Sequence, residues 1–180
     1  MSWISAAGTG LAAAGTVTSV HQLLKDRVKK APRIDLLGEK VIKKLYKKAH
    51  LSTPSHKNAY RGSIASAIVG NTLLYSLVAI GGKKYALAKG AIVGLTIGLK
   101  SAFLPERLGL GSKYSNRNKP MTAMTVGLYF LGGMAAAGAI VLFEKLSKRR
   151  ANKKTAATDA TTGNVDSAVP ADHLNVVATA

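Results

Sequence analysis

The run from Gly62 to Gly82 holds 21 residues without a charge, bracketed by Arg61 and Lys83. As a helix rising about 1.5 Å per residue it reaches roughly 31 Å, close to the hydrocarbon thickness of a bilayer. A helix on the surface of a soluble domain turns one face to water and carries charge there. An uninterrupted run of this length has no such face. A second run, Pro120 to Phe143, is longer and ends at Glu144 and Lys145. Both runs predict helices of a membrane bundle.

Tyr85 to Leu104 lies between them and is less clear-cut. Lys89 and Lys100 leave only Gly90 to Leu99 uncharged, and Pro105 ends the segment. Lysine stems near helix ends can snorkel toward headgroups, which favours a third span. A re-entrant or interfacial segment is the alternative. Residues 1–24 are rich in Ala, Gly and Thr and only modestly hydrophobic. They predict a helix that inserts against its neighbours or lies along the interface with Trp3 as anchor. Ala12 and Ala14 form an A-x-A pattern, but no Lys or Arg precedes Lys25, which argues against a cleaved signal. The expected fold is therefore all-α: a multi-pass membrane bundle of three or four short Gly/Ala-rich helices. Its spans fall at about 62–82, 85–104 and 120–144.

Charge is segregated from these runs. The chain carries 26 Lys or Arg against 8 Asp or Glu, a formal net charge of +18. Such an excess calls for an anionic partner, and its position beside uncharged runs favours membrane headgroups over nucleic acid. Residues 25–61 hold 12 Lys or Arg and 3 acids. Within them Ile34 to Ala49 predicts a basic amphipathic helix. Leu37, Val41 and Leu45 follow one another at four-residue spacing. Lys40, Lys43, Lys44, Lys47 and Lys48 border that stripe and are the candidate lipid-surface residues. The alternative is a charged helix packing its stripe on the protein's own bundle. Ser52, Pro54 and Ser55 mark a hinge. The tail, 145–180, starts basic, and its composition from Ala151 onward predicts disorder.

If all three central segments span, residues 25–61 and the loop 105–119 share one side with 16 Lys or Arg, against 8 on the other. The positive-inside rule then places 25–61 in the cytoplasm of a bacterial cell, at its inner membrane. A re-entrant 85–104 would bring the tail to the same side.

Small residues recur every fourth position: Gly62, Ser66 and Gly70, then Gly90, Gly94 and Gly98, then Gly132 and Ala136. Such faces let helix backbones approach closely, either within one chain or in a homo-oligomer. Asn71, Thr72 and Tyr75 are polar groups inside the first central run, expected to bond a neighbouring helix.

No catalytic or metal-binding pattern is present. The four histidines are scattered and the chain has no cysteine, GxSxG, P-loop or GxGxxG. No cofactor is expected, and an enzyme is the least favoured class. The runs 31–38 (APRIDLLG), 70–78 (GNTLLYSLV) and 104–111 (LPERLGLG) resemble segments of small bacterial integral membrane proteins of uncharacterised activity. That resemblance covers roughly residues 20 to 145, implies the membrane class, and brings no activity or site. The leading expectation is a non-enzymatic membrane scaffold or interaction protein contacting anionic lipid. An oligomeric pore or small transporter, holin-like in scale, is the alternative, and a basic nucleic-acid-binding protein is third.

Overall fold

The computed structural model describes residues 3–162, and among them it contains only helices. In chain order these are α1 (Trp3–Arg27), α2 (Ile34–Lys48), α3 (His56–Ser76), α4 (Ala86–Arg107) and α5 (Lys119–Thr162). A 3-10 turn, Leu77–Ala79, extends α3. Two compact units are formed, Met1–Phe143 and Glu144–Ala180, and α5 starts in the first and continues in the second.

Local chemistry sets the helix ends. The Ser55 hydroxyl accepts from the Asn58 N–H and starts α3 at the expected hinge, six residues ahead of the uncharged run. The Asn118 side chain does the same for α5, accepting from Met121 N–H at 3.0 Å, with Pro120 in the first turn, where its missing N–H costs nothing. Gly81 and Gly82, at φ +78° and +68°, make the turn between α3 and α4, a conformation other residues rarely adopt. Lys89 reaches back over that turn and donates to the carbonyls of Ile80 (2.6 Å) and Gly82 (2.9 Å). Pro105 sits inside the last turn of α4, which runs on to Arg107.

Three helical stretches are long and apolar enough to cross a membrane: His56–Ala79, Ala86–Arg107 and Lys119–Lys153. The middle one is a full helix of 22 residues, about 33 Å long. Disorder expected from Ala151 is not found up to Thr162, where α5 is still helical. Lys, Arg and Ala are good helix formers, and no Gly or Pro interrupts them until Gly163. The remainder of the expected tail, 163–180, lies outside the described residues.

Within the first unit α1, α3, α4 and α5 alternate in direction. Trp3 and Ala6 line one recess with Ile80, Gly81 and Gly82, so the start of α1 lies at the α3–α4 turn. At the opposite end the Arg33 N–H donates to the Tyr114 carbonyl (2.9 Å) and the Ser115 hydroxyl to the Ala102 carbonyl (3.1 Å). The core between the helices joins Ala13 and Val17 of α1, Tyr75 of α3, Ile97 of α4, and Leu128, Ala136 and Ile140 of α5.

Candidate functional site

The small residues place the helices. A Cβ on Gly94 would lie 2.7 Å from the Tyr129 carbonyl oxygen, and one on Gly98 would lie 2.9 Å from Val126 Cα. Gly90 faces the Gly133 backbone in the same way. The second glycine series thus seats α4 on α5 of the same chain, backbone against backbone. Gly132 faces Tyr75 and Val17, and Ala136 is buried in the core. The first series behaves differently. Gly62 meets only the end of Ile42, Ser66 is exposed, and Gly70 has open space around it. Sequence reasoning missed Gly10, whose Cβ would collide with the Thr72 carbonyl where α1 crosses α3.

The polar groups inside the bundle are mostly spoken for. Tyr75, fully buried, donates from its hydroxyl to the Tyr129 carbonyl at 2.6 Å, tying α3 to α5. Asn71 faces a small cavity shared with His21, Asp35 and Ser63. The Thr72 hydroxyl is buried without a hydrogen-bond partner among the described residues.

At the α2 end a second polar group joins three helices. Asp35 is 5% exposed, and its carboxylate accepts from Arg33 Nε at 3.2 Å and Nη2 at 3.3 Å. Its main-chain carbonyl accepts from the Ser63 hydroxyl, linking α2 to α3. Burial works to raise the Asp35 pKa. It is outweighed by the hydrogen bonds from Arg33 and from the Leu36 N–H and by the Arg33 charge, so the carboxyl titrates below its ordinary range. His21 of α1 approaches the same cluster, its Nε2 3.1 Å from the Pro32 carbonyl and 4.0 Å from Asp35 Oδ1.

The five candidate lysines of α2 do not share one environment. Lys40 donates to the Leu110 carbonyl (2.9 Å) and Lys44 to the Leu108 carbonyl (2.8 Å), beyond the end of α4. Lys43 pairs with Glu39 at 2.6 Å, and His56 lies 3.3 Å from the other carboxylate oxygen without the alignment of a hydrogen bond. Lys47 and Lys48 are exposed. The apolar stripe of α2 divides as well: Leu37 is buried against the bundle, while Leu45 is 59% exposed. Helix α2 thus packs its first half on the bundle, as the second of the two arrangements expects, and leaves its second half exposed.

Two hollows flank α2. One is an apolar groove of about 550 Å³ between α3 and α4, with Leu74, Leu77, Ile92 and Leu104 among its walls and Leu37 and Val41 at one end. Lys100 lines it and makes no hydrogen bond or ion pair among the described residues. The other, of about 330 Å³, is lined by Lys40, Lys43, Lys44, Lys47, Thr53 and Gly109. Leu110 borders both.

Compared with protein-family models, curated proteins and solved structures, the chain matches none.

Proposed function

We propose that this chain is a non-enzymatic integral membrane protein of a bacterial cytoplasmic membrane, acting as a scaffold whose basic end contacts anionic headgroups in the cytoplasm. The observation that carries this reading is where the large apolar side chains point. Glycines bring the α4 and α5 backbones together and alanines fill part of the core, whereas Val69 (61% exposed), Leu73 (65%) and Ile92 (64%) face outward with Leu99, Phe103, Leu131 and Leu142. In the 18-residue apolar window of each of the three long stretches, only 28%, 28% and 39% is buried within the molecule. In water, contiguous apolar exposure on this scale costs solubility; in hydrocarbon it costs nothing. Helix α1, uncharged from Trp3 to Leu24 and packed along α3, is proposed to lie at the same depth as a fourth helix.

Orientation follows from charge. The basic segment 25–61 and the loop 105–119 meet at one end of the bundle through Arg33, Lys40 and Lys44, and the positive-inside rule turns that end to the cytoplasm. Oligomerisation through the Gly90–Gly98 face gains no support, because α5 covers that face.

The test is an alkaline carbonate wash of membranes holding the full chain with a reporter fused after Ala180. Retention with the reporter outside the cytoplasm is the expected outcome. Release into the wash removes the reading and favours a soluble basic protein instead.

A further inference from the structure

We propose that the chain holds one anionic phospholipid at a defined site, an acyl chain lying in the apolar groove between α3 and α4 and the headgroup phosphate held by the lysine recess beside Leu110 and by Lys100. This rests on the membrane reading above and names a ligand for it.

The groove comes from the helix packing. Gly90, Gly94 and Gly98 fix one face of α4 against α5, which leaves Ile92, Thr96, Lys100 and Leu104 to line a space that α3 does not fill. The lining runs along α4 from Ile92 to Pro105, a rise of about 20 Å. One leaflet of hydrocarbon is roughly 15 Å deep, so the groove accepts an extended chain along its whole depth. At its α2 end the apolar lining gives way, across Leu110, to four lysines.

Two of those lysines are positioned yet not neutralised. Lys40 and Lys44 are held by main-chain carbonyls of Leu110 and Leu108. A carbonyl fixes an ammonium in place, uses one of its three donors and leaves its charge uncompensated. Of the four, Lys43 has a carboxylate partner in Glu39. Gly109, at φ +66°, makes the turn that exposes those carbonyls, with Lys44 Nζ 3.7 Å from where its Cβ would stand. A phosphate in the recess gains charge-assisted hydrogen bonds from groups already in position, so little ordering entropy is lost on binding. Lys100, lining the apolar groove without a partner, favours a ligand that carries negative charge and a chain together.

A second copy of the chain fits less well. A two-fold related copy would bring the same lysines against this rim, and like charges would oppose the contact. A free anion would use the recess and leave the groove idle. The composite shape selects a lipid.

The experiment is native mass spectrometry of the full-length chain released from mild detergent after incubation with phosphatidylglycerol, phosphatidylcholine or inorganic phosphate. One retained phosphatidylglycerol, preferred about tenfold over phosphatidylcholine, is expected. Lys100→Gln removes no hydrogen bond or ion pair among the described residues and is expected to weaken retention about fivefold, as one lysine's attraction to an anionic headgroup would. The double variant K40Q/K44Q is expected to weaken it further, and K40R/K44R to restore it. Thr96→Trp fills the groove and is expected to abolish retention while leaving the lysines intact. If K40Q/K44Q lowers helicity by circular dichroism, Lys100→Gln and Thr96→Trp decide. Equal retention of phosphatidylcholine, or no effect of these two variants in folded protein, overturns the proposal. So does competition by inorganic phosphate that is unchanged in Thr96→Trp, which marks a free-anion site, or a dimer whose formation the groove variant abolishes. A chain released by carbonate fails the membrane reading, whereas one that stays in the membrane without a preferred lipid fails only this proposal.

Discussion

Gly94 and Gly70 are the same residue on neighbouring apolar helices, and only their surroundings separate them. A methyl group at Gly94 meets the Tyr129 carbonyl at 2.7 Å and Phe130 Cα at 2.9 Å, both backbone atoms that cannot rotate away. Gly94→Ala is expected to cost about 1–3 kcal/mol, as overpacking does. Gly70→Ala meets nothing within 4 Å and is expected to gain about 0.5–1 kcal/mol from helix propensity. Thermal melts by circular dichroism in detergent check the pair; equal and opposite ranking would mean that α4 is not seated on α5. Asp35 makes a second residue-scale case. Its folded pKa lies below its unfolded value, so it contributes stability that is present above the ordinary carboxylate range. That stability is lost as pH falls through the lower, folded value. Asp35→Asn is expected to cost about 2 kcal/mol at neutral pH, since it loses a charged hydrogen-bonded pair. It should also flatten the decline of Tm in acid. The four-residue spacing of the glycines was readable in the sequence, but nothing in that spacing distinguishes Gly70 from Gly94. The difference is made by what lies opposite, on a helix some 35 positions away or more.

At the scale of elements α2 divides one sequence pattern between two environments. Leu37 and Leu45 belong to the same stripe, yet one is buried and the other exposed. The lysines divide accordingly. Neutralising Lys47 and Lys48 by glutamine is expected to weaken binding of the full chain's basic end to anionic bilayers by about 1 kcal/mol each, with the melting temperature unchanged. Neutralising Lys40 and Lys44 is expected to lower the melting temperature too, because those ammonium groups satisfy carbonyls beyond the end of α4. Headgroup cross-linking read beside a melt distinguishes the pairs; identical behaviour of both pairs would contradict the division. The existence of α2, α3, α4 and most of α5 was legible because each rests on local signals: periodicity, an uncharged run, a capping Ser or Asn. The length of α5 was not, since composition alone does not separate a helix rich in Lys and Ala from a polar tail.

For the whole molecule the deciding property is polarity of direction. Trp3, Ile80 and Gly82 lie at one end, and Arg33, Leu110 and Tyr114 at the other. The chain has no cysteine, so single cysteines report the sides cleanly. Lys84→Cys is expected to react with an impermeant maleimide in intact cells, and Ser112→Cys only after permeabilisation. Labelling of both from outside would remove α4 as a span, and labelling of Ser112→Cys alone would reverse the orientation. Much of this architecture was implicit in the sequence. Uncharged runs as long as a bilayer is thick admit few structures besides helices, and flanking lysines bias their direction, because both constraints act along the chain and need no partner. What the tertiary structure alone decided is which faces meet. It spent the Gly90–Gly98 series within the chain, set α1 across α3 at Gly10, held Lys40 and Lys44 on carbonyls, and left a groove beside Lys100. Those outcomes depend on close approach between residues far apart in sequence, and helix periodicity fixes a face without naming its partner.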